Sequence, residues 1–300
     1  MKTMTLSQRK RSRALWALLF ISPTLFLVLA LNIWPIFQTI HLSFHRAHGL
    51  GQATWIGLEN YSRALTDVRI LRSFLNTAMY TIVTVPVGIF LSLITAVLLN
   101  TGIKAKTIFR VIYFIPVVSA PAAIALVWRF MFHSEFGIIN YFLSLVRISG
   151  PNWLGNPSTA LWAIIIVGIW AGVGYNMIIL LGGLQSISKT YYEASRIDGA
   201  NAIQQFFKIT LPLISPILFF VLTTSLIGAF QVFDLIFMMI DSGGPAMNAT
   251  QSIVGLFYSI TFVNNDRGYG STIAVIILVV ILVVTIIQIK MQKKWVHYEQ

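Results

Sequence analysis

Nine carboxylates and five histidines are all that this 300-residue chain offers for acid–base or metal chemistry, and it has no cysteine. Thiolate nucleophiles, disulfides and zinc–thiolate sites are therefore excluded. Three histidines, His41, His45 and His48, are spaced by four and three residues, which on a continuous helix would place them on one face with ligand-like geometry. No acidic residue stands close in sequence to orient them, so they are read as polar groups at a membrane surface, and no metal is expected. Asp234 is the one carboxylate well inside an apolar run, near Gln231. Ionisable groups inside a membrane usually face a cavity or a partner, because lipid exposure is costly. Trp170, Tyr175 and Asn176 add stacking and hydrogen-bonding surface in another apolar run, so these five residues form the candidate solute pathway. The alternative is that they satisfy one another between helices, and a structural or gating role for Asp234 stands beside solute contact. The chain carries no H-E-x-x-H, no G-x-S-x-G, no G-x-x-x-x-G-K-[ST] phosphate loop and no paired carboxylates. No catalytic residue is assigned, and the chain has no means of its own to cradle a nucleotide.

The elements that must carry these residues are membrane helices. Hydrophobic residues make up 57% of the chain and charged residues 10%, and the mean hydropathy is +0.80. These values lie in the range of polytopic membrane proteins. A helix crossing the hydrocarbon needs roughly 20 apolar residues, since its backbone must bond internally. Six stretches qualify: Ala14–Phe37, Thr77–Leu99, Val111–Phe132, Ala160–Leu181, Leu213–Ile240 and Ser271–Ile289. The first is read as a retained anchor, being too long for a cleaved signal and lacking an Ala-x-Ala site. Pro86, Pro116 and Pro121 lie inside the second and third stretches and imply static kinks. Gly168 and Gly172 give a small-xxx-small spacing that suits close helix packing.

The net charge of +12 is arranged along the chain as a topology signal rather than as a nucleic-acid surface. One set of helix ends carries Lys2, Arg9, Lys10, Arg11, Arg13, Lys104, Lys106, Arg110, Lys189, Arg196, Lys208, Lys290, Lys293 and Lys294. The other carries half as many: Arg46, Arg63, Arg69, Arg72, Arg129, Arg147 and Arg267. Basic residues are retained on the cytoplasmic side, so both termini and the segment around Tyr191 are expected there.

That segment, Tyr191 to Pro216, is a polar insertion between two membrane-length runs. Thr190 followed by Glu193 fits a capping box at a helix start, and Gly199 after Asp198 fits a helix stop. A second helix is expected over Ala202–Thr210, ending before Pro212. Ala194, Ser195 and Ala200 keep the surface shallow, while Tyr191, Ile197, Phe206 and Phe207 offer apolar anchors for a bundle edge or a partner.

The same residues resemble the EAA loop of permease subunits of binding-protein-dependent ABC importers. Glu193, Ala194, Gly199, Ile209, Leu211 and Pro212 match its spacings, and Asp198-Gly199-Ala200 matches its common Asp-Gly-Ala form. Ser195 departs where alanine is usual. The resemblance extends along the chain and is to the carbohydrate branch. It runs through Trp34-Pro35, Leu42-Ser43-Phe44, Gly57-Leu58-Glu59-Asn60-Tyr61, Trp153-Leu154-Gly155, Gly183-Leu184-Gln185-Ser186-Ile187, Phe233-Asp234 and Gly243-Gly244-Pro245.

The resemblance implies an all-α polytopic membrane protein with six transmembrane helices. It also implies cytoplasmic termini and the type I ABC importer permease fold with a cytoplasmic coupling-helix hairpin. Residues 1–72 would form a cytoplasmic tail, the first span and the first outer loop. Residues 73–290 would form the permease domain, with the EAA loop at about 188–212, and 291–300 a second tail. The implied partners are a second permease in a heterodimer, a homodimeric or paired ATPase that holds ATP and Mg, an extracytoplasmic solute-binding protein and membrane lipid. Tyr191, Glu193, Ala194, Ser195, Asp198, Gly199, Ala200, Ile209, Leu211 and Pro212 would couple the ATPase to transport. The cargo would be a sugar, a polyol or a glycerol phosphate, in a bacterial or archaeal inner membrane. An ion-coupled secondary transporter is the rival, but it calls for several buried ionisable groups or a clear inverted repeat and leaves the hairpin unexplained.

Overall fold

The computed structural model describes residues 6–49, 51–101 and 106–297. Lys2 and Lys104 of the charge pattern lie outside them, as do the last three residues of the 291–300 tail. The described chain is helical almost throughout, and among the described residues five helices are long and apolar enough to cross a membrane, or six if one bent pair is counted as a span.

Helix α1 (Leu6–Val28) runs through a π-helical turn, Leu29–Ile33, into α2 (Trp34–Ser43). A two-residue hairpin follows, β1 (His45–Arg46) paired antiparallel with β2 (Thr54–Trp55), and then α3 (Glu59–Thr66). Helix α4 (Val68–Asn100) starts on Asp67, whose side chain accepts the Arg69 N–H, and it continues past Pro86 without a break. It is longer at both ends than the Thr77–Leu99 stretch expected from hydropathy.

The third expected span is not one helix. It consists of α5 (Lys106–Val118) and α6 (Pro121–Met131), bent by 103° at a short break. The physical reason is Pro121 at the first turn of α6: the residue before a proline is driven out of the helical region, and Ala120 has φ −62° and ψ 136°. Next come α7 (Ile138–Leu145) and α8 (Ala160–Ser186), followed by α9 (Lys189–Ile197) and α10 (Ala202–Gln205). A π-helical turn, Phe206–Thr210, joins α10 to α11 (Leu211–Phe230).

The fifth expected span also differs. After Phe230 the helix stops, Phe233 takes φ −141°, and a separate α12 (Asp234–Met239) begins. The chain closes with α13 (Met247–Thr250), α14 (Ile253–Tyr258), a π-helical turn Ser259–Val263 and α15 (Arg267–Gln292).

Backbone contacts divide the chain into two units, residues 1–66 with 257–276, and residues 67–256 with 277–300. In the first unit the buried Asn60 amide donates to the carbonyls of Ser43 and His45, both at 3.0 Å. Asp266, also buried, takes Arg63 at 2.9 Å, and the Arg63 guanidinium lies 3.8 Å from the Tyr269 ring centre. The three histidines do not share a helix face. Helix α2 ends at Ser43, so His45 falls in β1 and packs edge-on against Trp55, while His48 Nε2 stands 3.4 Å from Asp266. Among the described residues there is no cluster of three or more metal-ligating side chains.

The second unit holds the main core, built on α4, α8 and α11. Ala160, Ala163, Ile164, Val167, Met177 and Leu180 of α8 are fully buried there. A Cβ on Gly174 would stand 1.8 Å from the Tyr113 carbonyl oxygen, so this glycine is where the α8 backbone meets α5. The Gly168–Gly172 pair expected to serve that purpose does something else. Gly168 clears the Tyr80 hydroxyl, 2.2 Å from where its Cβ would be, and Gly172 has nothing within 4 Å.

Candidate functional site

The polar hairpin begins at Ser188, whose side chain accepts the Thr190 N–H at 3.4 Å. Ser188 is itself a good capping residue two positions earlier than Thr190, and it holds extended geometry (φ −61°, ψ 135°). The expected Thr190–Glu193 capping box is therefore not formed. Thr190 lies inside α9, and Glu193 is exposed with no hydrogen bond or ion pair among the described residues. The capping box that does form was not anticipated: Asn201 and Gln204 exchange side-chain and backbone bonds of 2.9 Å at the start of α10.

Between the two helices Gly199 adopts φ +80°, a left-handed conformation that costs side chains with a Cβ. Ala200 N–H donates to Ser195 O and Gly199 N–H to Arg196 O, the paired bonds of a Schellman stop. Ser195 does more than stand in for alanine. Its hydroxyl donates to Tyr192 O at 2.9 Å and accepts Gln205 Nε2 at 2.9 Å, pinning α9 to α10. Tyr192 and Thr210 add a hydroxyl–hydroxyl contact of 3.0 Å. This frame leaves Tyr191, Ala194, Ile197, Asp198 and Gly199 exposed on one leg, and Ile203 and Phe207 exposed on the other.

The second leg does not end before Pro212. It runs on into α11, because the π turn gives Leu211 N–H a bond to Phe206 O, one residue farther back than in an α-helix. A proline ring clashes with the carbonyl four residues earlier in a regular helix, and a widened turn placed just before it relieves that clash. Ile209, Leu211 and Pro212 are half-buried along this junction, and Ala200 is half-buried at the turn. The second leg is thereby continuous with α11 as one uninterrupted rod, Ala202–Phe230.

That rod and α8 line a cavity of about 270 Å³ together with α4. Tyr175 and Asn176 reach it; Trp170, Gln231 and Asp234 do not. Trp170 instead packs edge-on against Trp128, with ring centres 5.4 Å apart. Asp234 is exposed in the first turn of α12, where the helix dipole favours a negative charge. The cavity also takes Tyr80, Thr84, Thr224 and Ser225, which hydropathy reasoning overlooked. Their signal was hydroxyl groups recurring in apolar runs, but membrane helices routinely absorb Thr and Ser by back-bonding. Thr224 does so to Phe220 O at 3.0 Å.

Asn176 is buried and donates to Ser225 Oγ at 3.2 Å across α8 and α11. Gly88, Gly172 and Gly228 leave open walls. Among the described lining residues there is no carboxylate and no imidazole. Such a surface can exchange hydrogen bonds with hydroxyls and stack on a ring.

Comparison with known proteins agrees with this architecture. The family model described as binding-protein-dependent transport system inner membrane component matches residues 64–297. The chain is 34% identical over 283 residues to the probable ABC transporter permease protein YesP of Bacillus subtilis (strain 168), covering 93% of this chain and 91% of that protein. It is 35% identical to the trehalose/maltose transport system permease protein MalF of Thermococcus litoralis, covering 95% of this chain and 96% of the relative. Among solved structures, a chain of a bacterial alginate ABC transporter in complex with alginate pentasaccharide-bound periplasmic protein superposes with a TM-score of 0.83. Its identity is 21%, with 95% of this chain and 96% of that chain covered. With its helices, its hairpin and its sequence all in accord, the chain belongs to the family of inner membrane components of binding-protein-dependent transport systems.

Proposed function

We propose that this chain is a membrane subunit of an ATP-driven importer for a sugar, or a related polyol or glycerol phosphate, handed over by an extracytoplasmic binding protein. Six spans, counting the bent α5–α6 pair as one, would put both termini and the α9–α10 hairpin on the same side of the inner membrane, and the excess of Lys and Arg at those ends supports the cytoplasmic side. A second permease completes the pathway as a heterodimer, and a pair of ATPase subunits carries ATP and Mg. The chain itself is a gate and not an enzyme.

The observation that carries this reading is the hairpin's construction. A turn held by Gly199 and Ser195 offers exposed apolar and acidic groups for a partner, and its legs adjoin α8 across Ile187–Ser188 and continue into α11, two helices that line one cavity. Closure of the ATPases on nucleotide would move the docked α9, and α8 and α11 would carry the displacement to the cavity. A ligand shifts such an equilibrium only through its different affinity for the two states, so loaded binding protein would favour the outward-open one. The sugar class is supported by the relatives' names and by the hydroxyl-rich, uncharged lining. Tyr175, Asn176 and Ser225 are proposed to touch the solute, and Asp234 to serve the outer end of the pathway.

Uptake tests the proposal. Vesicles reconstituted with this chain, its partner permease, the ATPase and the binding protein should accumulate labelled sugar only with internal ATP. Uphill accumulation by vesicles holding this chain alone would refute it.

A further inference from the structure

One surface of the second unit has no part in coupling or in the cavity. Helix α7 places Ile138, Tyr141, Phe142 and Leu145 at helical spacing on a single face. All four are exposed, as are Val146 and Ile148 beyond them. The opposite face is fixed inward by the buried Asn140. Its amide donates to Ser134 O and Pro151 O, and its oxygen accepts Trp153 Nε1 at 2.7 Å. Gly150 is tied to the same anchor, since a Cβ there would stand 2.0 Å from Asn140 Oδ1. The apolar stripe is therefore held outward by a rigid frame.

The stripe ends in an unusual residue. Ile148 N–H donates to Leu143 O and Arg147 N–H to Ser144 O, a Schellman stop whose left-handed position is occupied by Arg147 at φ 58°. Glycine fits that position without strain, whereas an arginine there adds an exposed guanidinium at the end of the stripe. Arg147 is exposed and forms no ion pair among the described residues. The stripe is also continuous with the apolar surface of the bent span: Phe130 of α6 lines the same open depression of about 590 Å³ as Tyr141.

We propose that α7 lies in the headgroup layer of one leaflet of the bilayer, with its apolar stripe against the acyl chains and Arg147 on lipid phosphate. A short helix with an exposed apolar face and a basic end suits that boundary, and tyrosine is enriched there. An arginine keeps its stem in apolar surroundings while its head reaches the polar layer. This foot fixes the far end of the α5–α6 bend to the membrane. It rests on the reading of the long apolar helices as spans, and the orientation proposed above makes the leaflet the outer one.

The absence of cysteine makes the test direct. Nitroxide labels at Phe142→Cys, Leu145→Cys and Ser149→Cys are examined in the assembled importer, its partners freed of thiols, in vesicles of phosphatidylethanolamine and phosphatidylglycerol. Oxygen should relax the labels at 142 and 145 more than a water-soluble nickel chelate does, and the order should reverse at 149. Arg147→Gly should shift the label at 142 toward water without lowering the thermal midpoint of the complex, because glycine relieves the backbone at 147. Labels at 142 and 145 that are reached mainly by nickel, or that are immobilised and reached by neither, overturn the proposal in favour of water or a protein partner. So does an Arg147→Gly variant whose label keeps its depth. A label at Ile82→Cys on α4 separates the two levels: nickel preference there refutes the span on which the foot rests, whereas oxygen preference there with nickel preference at 142 refutes the foot alone.

Discussion

Ser195 stands where the family pattern has alanine, and the structure gives it a role that the pattern did not suggest. Its hydroxyl holds Gln205, so Ser195→Ala should loosen α10 by about 1 kcal/mol. That is roughly fivefold faster hydrogen exchange across α10, with membrane insertion intact. Glu193 was expected to divide its role between capping and docking, and here it caps nothing. Glu193→Ala should therefore leave thermal stability unchanged while lowering sugar-stimulated ATP hydrolysis; a fall in stability of about 1 kcal/mol would restore the capping role. Gly199→Val places a β-branched residue at φ +80°. The strain of roughly 1–2 kcal/mol falls on the turn proposed to dock the ATPase, so uptake should vanish while the protein still reaches the membrane fraction.

At the level of elements, what the sequence made legible depended on whether a local rule acted alone. Gly199 stops α9 because the stop is set by one residue's backbone freedom. The start of α9 was misplaced by two residues because Ser188 and Thr190 are both competent caps and only the extended backbone at Ser188 decides between them. Pro121 signalled a kink, but its size, 103°, is not written in the proline. The run Leu213–Ile240 hid a break because uniformly apolar residues give no period change at Gln231–Phe233. The glycines of α8 carry the next prediction. Gly174→Val must push the α5 backbone away and should prevent recovery of monodisperse protein, whereas Gly172→Ala enters open space and should change stability by less than about 0.5 kcal/mol. Melting curves of the two purified variants check this.

For the whole molecule, the family and the presence of the hairpin could be read in advance because they reside in contiguous residues at fixed spacings. The cavity could not. It is assembled from α4, α8 and α11, and the residues that face it are separated by up to 152 positions, from Tyr80 to Val232. Sequence reasoning reached only Tyr175 and Asn176, and it added Trp170, Gln231 and Asp234 because polarity in an apolar run says nothing about which face of a helix a side chain takes. The central proposal at this scale is that the α9–α10 hairpin is where an ATPase grips the membrane subunit. Since the chain has no cysteine, a single thiol at Ala194→Cys in the assembled importer tests the claim most directly. A short bifunctional maleimide should join it to the ATPase subunit, and an impermeant maleimide added outside intact cells should not label it. Labelling from outside, with no ATPase adduct formed from within, would contradict the account.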